Sequence, residues 1–301
     1  MNIIECRQLT KAYRGFKALD QFSCTIEENK LVGLVGRNGA GKTTLMKVLS
    51  GMLKETSGEV KVFSHRPFNS LLVSANSIFI DDQMNFPTAL SLAEILEESS
   101  KFYEHWNEEL AWHLFDYFGF HKKEYHKNLS KGKESTFNMI VGLAARCPLT
   151  IFDEPTTGMD AAVRKDFYRI LLKDYLAYPR TILLSTHHLE EVEDQLEEVL
   201  LLNRGREVLH MSIEELREFA IGLKGKREVL APYLADRQPI YTEAFGMDEE
   251  YIVTRNNLSQ KEKQDMKREG IQFSGVSASD LCIYLTSSGS HKGGTLDDIL
   301  N

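Results

Sequence analysis

The chain has 301 residues, of which 42% are apolar, 27% charged and 10% aromatic, with 20 glycines and 7 prolines; this excludes a disordered, collagen-like or disulfide-stapled chain and leaves room for one large domain, alone or with a smaller one, around a substantial core. Its 36 Lys and Arg against 44 Asp and Glu give a formal net charge of −8 at pH 7, which excludes a bulk electrostatic footprint for coating nucleic acid or an anionic membrane. Cys6, Cys24, Cys147 and Cys282 show no CxxC or metal-like spacing and are expected as buried free thiols of a reducing compartment, and neither a signal peptide nor a run of about 20 apolar residues is present.

In chain order, Cys24-Thr25-Ile26 reads as a strand ending at Glu27-Glu28-Asn29, and Leu31 to Val35 is an apolar run of strand length. A helix over Thr44 to Leu49 closes at Gly51, a C′ glycine. From Leu90 to Phe118 the text is helical and aromatic, carrying Phe102, Tyr103, Trp106, Trp112, Phe115 and Phe118. A second helical stretch from Glu134 through Phe137, Ile140, Val141 and Ala144 leads into the strand Leu149 to Phe152. A helix over Ala161 to Ala177 precedes the strand Thr181 to Ser185; a further helix is expected before the strand Glu198 to Leu202. Helices alternating with short apolar strands predict a parallel α/β sheet. After about Ala220 the character changes to shorter strands around Ile240-Tyr241-Thr242 and Tyr251-Ile252-Val253, a capping-box helix at Ser259-Gln260-Lys261-Glu262 and a weaker one at Ser277-Ala278-Ser279-Asp280. That is a small α+β appendage.

Gly36-Arg37-Asn38-Gly39-Ala40-Gly41-Lys42-Thr43-Thr44 matches GxxxxGK[ST] directly after a strand and directly before a helix. Successive backbone N–H groups wrap a polyphosphate only where no Cβ crowds the loop, and the helix N-terminus adds partial positive charge. Lys42 is expected at the β- and γ-phosphates and the Thr43 hydroxyl at Mg²⁺. Downstream, Leu149 to Glu154 places Asp153 and Glu154 at the carboxyl end of a buried strand, where doubly wound sheets hold ligands. By itself that is an ordinary solvated strand end. Beside a phosphate loop, Asp153 reads as the magnesium carboxylate and Glu154 as the general base that polarises water.

With these motifs, residues 1 to about 218 resemble the ATP-binding subunit of ABC transporters. Leu129-Ser130-Lys131-Gly132-Lys133 resembles the LSGGQ signature, and Ser130 precedes Asp153 by the 23 residues usual in the family. Thr157-Gly158-Met159-Asp160 resembles the D-loop, Ser185-Thr186-His187 the switch-histidine segment, and Tyr13 sits where the family places the aromatic that stacks on adenine. The resemblance implies a P-loop NTPase with a RecA-like core, an α-helical subdomain over about 88–146 within an ATP-binding domain of residues 1–219, and an accessory domain over 220–301. It also implies a head-to-tail dimer, with itself or a paralogue. ATP on one phosphate loop is then touched by the Ser130 hydroxyl, the Gly132 amide, Asp160 and the signature-helix N-terminus of the other copy, while His187 contacts the γ-phosphate and holds the water.

The signature departs from the family at Lys131, in place of the second glycine, and at Lys133, in place of glutamine. The Q-loop residue falls at Gln83, or by strand-to-loop spacing at Asp82; either supplies an oxygen to magnesium, and Gln83 is preferred. The basic strip from His121 to Lys133 reads as a solvated face, since acids such as Glu124 interrupt it. The aromatic block is mostly core, with part of it forming a groove for a cytoplasmic helix of a transmembrane permease. Val276 to Thr286 is similar to the closing segment of bacitracin-type and acetoin-utilisation-type exporter subunits. The implied protein is a cytoplasmic ATPase held at the inner face of the membrane by its permease, with export as the implied direction and no nucleic-acid partner. The rival is a soluble ABC ATPase acting on ribosomes or nucleic acid; two cassettes on one chain, long coiled coils or zinc sites would mark it, and the sequence carries one set of motifs.

Overall fold

The computed structural model describes residues 1–235, 237–246 and 248–287. Its elements begin with β1 (Asn2–Tyr13), β2 (Phe16–Glu27), β3 (Leu31–Val35), α1 (Lys42–Leu49), β4 (Ser57–Val62), α2 (Leu71–Asn76) and β5 (Ser77–Ile80). They continue with α3 (Leu92–Phe102), α4 (Glu108–Tyr117), α5 (Lys131–Ala145), β6 (Leu149–Asp153), α6 (Ala161–Ala177), β7 (Thr181–Thr186), β8 (Glu198–Asn203) and β9 (Arg206–Ser212). The last stretch comprises α7 (Ile213–Glu218), β10 (Ala220–Lys226), α8 (Arg227–Leu234), β11 (Tyr241–Phe245), β12 (Glu249–Arg255), α9 (Gln260–Arg268), β13 (Gln272–Gly275) and α10 (Ala278–Thr286). Two compact units result, residues 1–210 and 211–301, so α7 groups with the second.

In the first unit a six-stranded sheet has the order β5-β6-β7-β3-β8-β9. The pairs β5–β6, β6–β7, β3–β7 and β3–β8 are parallel. Every residue of β3, β6 and β7 is buried, as a parallel sheet covered on both faces requires; continuous apolar runs rather than alternation are the sequence form of that. The main apolar core gathers Leu45, Met46, Val48 and Leu49 of α1 against Val32, Leu34, Ile151, Leu183 and Leu200, and against the antiparallel sheet β2-β1-β4. The four cysteines are buried, and none is in a disulfide.

The expected aromatic helical block divides into α3 and α4, each closed by a side-chain cap, Ser91 in a capping box and Asn107 on the Leu110 amide. Phe115 and Phe120 pack with Phe137 of α5 as core. Three lysines of the basic strip lie over rings, Lys122 on Trp112, Lys127 on Tyr125 and Lys133 on Phe120. Phe102 and Tyr103 instead line a cavity of about 930 Å³ with Met52, Leu71, Phe79 and Phe86, and Phe102 remains 80% exposed. Burial pushes the Tyr103 phenol up to about 12.

The helix expected between Ser185 and Glu198 is only a 3-10 turn, Leu189–Glu191. The physical reason lies in Glu190, Glu191, Glu193, Asp194 and Glu197, whose three- and four-residue spacings would stack like charges on a helix. Glu191 is drawn away to Arg164, which holds it with contacts of 2.9 to 3.2 Å.

The second unit contains a β-α-β-β-α-β sequence whose sheet has the order β11-β12-β10-β13, antiparallel at every pair. This is the split arrangement of ferredoxin-like folds, which hosts many functions and indicates none by itself. Leu223, Leu230, Ile252, Leu258, Met266 and Ile271 form its core. Residues 288–301 of the expected accessory domain lie outside the described residues.

At the amino edge of the parallel sheet, Asp174 of α6 bridges two guanidinium groups. Arg146 Nη2 donates to Oδ1 at 2.7 Å and Arg180 Nη1 lies 2.9 Å from Oδ2, the Asp174 and Arg180 side chains being only 4% and 1% exposed. Burial holds the Arg180 group below its usual basicity. Removing one partner of a buried pair strands the other charge. Asp174→Ala is therefore expected to lower unfolding free energy by roughly 3–5 kcal/mol in urea titrations; a loss below about 1 kcal/mol would contradict a structural clamp.

Candidate active site

Because β3, β6 and β7 are parallel neighbours, their carboxyl ends release three chain segments at one edge of the sheet: Gly36–Thr44, Asp153–Asp160 and His187. The first folds as a loop into α1. Gly41 is the N-cap at φ +110°, and a Cβ there would stand 2.4 Å from the Ala18 carbonyl oxygen, so only glycine fits both the backbone and the space. Asn38, Gly39, Ala40, Gly41, Lys42, Thr43 and Thr44 line a cavity of about 350 Å³ with Phe16, Ala18 and Glu154.

Lys42 is buried, and its Nζ donates to the Gly36 carbonyl oxygen at 2.7 Å, closing the loop on itself. The same Nζ lies 3.5 Å from Glu154 Oε1, while Glu154 Oε2 lies 3.4 Å from His187 Nδ1. One carboxylate thus stands between a fixed cation and an imidazole at the mouth of the cavity. Glu154 adopts φ +48°, a left-handed conformation unusual for a side-chain-bearing residue. Asp153 is buried behind it and accepts a hydrogen bond from Ser185 Oγ at 2.6 Å; that hydroxyl in turn accepts the Glu154 N–H at 2.8 Å.

The signature-like segment opens α5. Ser130 is its N-cap residue, exposed, with a hydroxyl that makes no capping hydrogen bond. The first helical bond runs from the Glu134 N–H to the Ser130 carbonyl oxygen, so the preceding first-turn amides have no helical partner. Gly132 rests on the D-loop-like turn: a Cβ there would stand 2.4 Å from the Gly158 carbonyl oxygen. Ser135 Oγ donates to the Thr157 carbonyl oxygen at 2.8 Å, a second bolt between the same two segments. Asp160 caps α6, its Oδ1 accepting the Ala162 and Val163 amides at 2.9 Å.

Gln83 lies in an exposed turn, its N–H donating to Asp81 Oδ1 at 3.1 Å. Asp82, the alternative, is engaged by Lys131 through its carbonyl oxygen and lies 3.7 Å from it through Oδ2. Tyr13 ends β1 with Lys11 Nζ 5.1 Å from its ring centroid; the aromatic lining the cavity is Phe16, across the hairpin from it. Two contributors were missed from sequence. Phe16 was visible as an aromatic beside the Arg14-Gly15 turn. Ser185, the hydrogen-bond hub, gave no signal of its own, since its link to Asp153 depends on the β6–β7 register.

Residues 19–157 match the family model described as ABC transporter. The ABC transporter ATP-binding protein YtrB of Bacillus subtilis is 28% identical over 216 residues, covering 72% of this chain and 74% of the relative. An uncharacterized ABC transporter ATP-binding protein of Methanocaldococcus jannaschii is 31% identical over 216 residues, 71% of this chain and 79% of the relative. Among solved structures, a dimeric ATP-binding cassette in a post-hydrolysis state bound to ADP and Pi aligns with a TM-score of 0.61 at 19% identity, over 70% of this chain and 98% of that one.

The Gly132 seat has a direct consequence. Gly132→Ala forces a methyl group onto the Gly158 carbonyl, so the α5 N-terminus must lift from the turn; a loss of about 1–3 kcal/mol in chemical denaturation is expected. Unchanged stability would mean that the two segments are not in contact.

Proposed function

This chain belongs to the ABC transporter ATP-binding family, and from that premise we propose that it hydrolyses ATP at the Gly36–Thr44 loop to drive a separate membrane-spanning subunit. The observation that carries the reading is the row Lys42, Glu154 and His187, spaced 3.5 and 3.4 Å at the cavity mouth. A fixed cation for phosphate oxygens, a carboxylate for a proton and an imidazole beside it meet the needs of phosphoryl transfer to water, where positioning and electrostatics do most of the catalysis.

In this mechanism the loop amides and Lys42 bind the β- and γ-phosphates, with Gly36, Asn38, Gly39, Ala40, Gly41 and Thr44 shaping the cradle. Glu154 accepts the proton of the attacking water as the new P–O bond forms and the bond from the γ-phosphorus to the bridging oxygen breaks, leaving ADP and inorganic phosphate. His187 contacts the γ-phosphate and keeps Glu154 aimed. Tyr13 and Phe16 at the hairpin offer rings to the adenine. Thr43, Asp153 and Gln83 fit Mg²⁺. They are hard oxygen donors of the kind Mg²⁺ takes, an ion that keeps several waters and needs only one or two carboxylates. Bound there, Mg²⁺ would supply charge neutralisation for the phosphates.

Two copies arranged head to tail complete each site, with Ser130, Gly132 and Asp160 of one facing the nucleotide of the other. The free Ser130 hydroxyl and the unpaired first-turn amides of α5 support this. The partner copy is the same chain or a paralogue. Among the described residues no helix is long and apolar enough to cross a membrane. The aromatic-rimmed cavity at Phe102 and Tyr103 is the place on this chain to receive a cytoplasmic helix of the membrane-spanning subunit. This holds the ATPase at the inner face of the membrane. The tail's likeness to exporter subunits supports the export direction. The soluble reading, on ribosomes or nucleic acid, is disfavoured by the net charge of −8.

Two variants test the roles. Glu154→Gln is expected to keep ATP binding and slow hydrolysis by about 10²- to 10⁴-fold, with an ATP-dependent dimer accumulating in gel filtration; full turnover would remove the assigned base. Lys42→Ala is expected to weaken ATP binding by roughly tenfold or more, since a charge-assisted contact is lost; unchanged affinity in calorimetry would remove the loop assignment.

A further inference from the structure

Lys131 breaks two local rules at once. It occupies a position where the family signature has glycine, and it is the first residue of α5, where a cation faces the positive end of the helix dipole. Lys133 adds a second cation to the same turn, with Glu134 the only acid there. A residue that local preference opposes is expected to gain from a contact elsewhere.

That contact is present. Lys131 Nζ donates to the carbonyl oxygen of Asp82 and lies 3.7 Å from Asp82 Oδ2 and 3.5 Å from Glu134 Oε2. Its stem passes Gly158, where a Cβ would come within 3.2 Å of the Lys131 Cγ. The Asp82 carbonyl belongs to a small ordered turn: the Gln83 N–H donates to Asp81 Oδ1 at 3.1 Å and the Met84 N–H to the Asp81 carbonyl oxygen at 3.3 Å. Asp81 Oδ2 lies 3.4 Å from Lys47 Nζ on α1, the helix that begins in the phosphate loop. Beyond the turn, Met84 and Phe86 line the aromatic cavity. A continuous polar path thus runs from α1 through the turn to the N-terminus of α5, and the same turn opens onto the docking groove.

We propose that Lys131 is a positioning residue that ties the Asp81–Met84 turn to the signature segment within one subunit and so sets the pose of the segment presented to the other subunit's nucleotide. This rests on the function proposed above. The competing use of the same ammonium, a direct contact with the phosphates of the neighbouring copy, predicts no role in the isolated chain.

The two are separated by amide hydrogen exchange on the full-length protein without nucleotide. Lys131→Met keeps a good helix former at the position and removes the tie. The Gln83 and Met84 amides are then expected to exchange about fivefold faster, the worth of roughly one hydrogen bond. Lys131→Arg is expected to restore protection. Asp82→Asn, which keeps the carbonyl contact, is expected to change exchange less than twofold. Unchanged exchange in Lys131→Met overturns the proposal. In a Glu154→Gln background, Lys131→Met is further expected to weaken ATP-driven dimerisation about fivefold, with ATP affinity of the single subunit unchanged; full dimerisation would overturn the coupling. Failure of Glu154→Gln alone to dimerise would instead count against the proposed function, because the exchange experiment does not depend on it.

Discussion

The site depends on one buried hydroxyl. Ser185 is fully buried on β7 opposite Asp153 of β6, and its hydroxyl reaches both residues of the acidic strand end, donating to the Asp153 carboxylate and accepting the Glu154 amide. In a region closed to water each of those polar groups needs a partner. Ser185 satisfies both, and in doing so turns the chain so that Asp153 stays behind while Glu154, at its left-handed φ, swings forward to Lys42 and His187. The parallel sheet makes this possible because its carboxyl edge aligns the ends of β3, β6 and β7 within one register.

Around that edge the segments are held by close contact more than by charge. Gly41 and Gly132 are glycines because a carbonyl oxygen occupies the space a Cβ would need, Ala18's in one case and Gly158's in the other. The loop is thereby fixed to the β1–β2 hairpin, and the signature segment to the turn that follows Glu154. Surface ion pairs such as Lys131 with Glu134 add little energy by themselves; their value here is direction, since they determine where a flexible cation rests.

Much of this was legible in the sequence. The phosphate loop is a local chemical demand, met by glycines, lysine and threonine at fixed spacing, and the two acids stand where an apolar run stops. Burial of the central strands β3, β6 and β7 follows from their continuous apolar runs. What could not be read depends on pairing across distance: the Ser185–Asp153 link, the strand order of the second unit, the seat of Gly132 on Gly158, and Lys131 reaching Asp82. Phe16 is as readable as Tyr13, an aromatic across the Gly15 turn from it. The helix expected before Glu198 failed for a reason the sequence did carry, a crowd of acids that a helix would have stacked. In the second unit the capping boxes at Ser212 and Ser259 mark helix starts that local sequence dictates, whereas its split β-α-β order does not follow from any local signal.

The account stands or falls on the nucleotide being shared between two copies. The most direct measurement places one cysteine on each side of the expected contact, Asn38→Cys in one preparation and Ser130→Cys in another, both made in a Glu154→Gln background, and treats the mixture with a short bifunctional thiol reagent. With ATP present, the account predicts a covalent species of twice the 34.4 kDa chain mass, formed in the mixture and suppressed when ATP is omitted. A mixture that yields no such species with ATP, or yields it equally without, would contradict it.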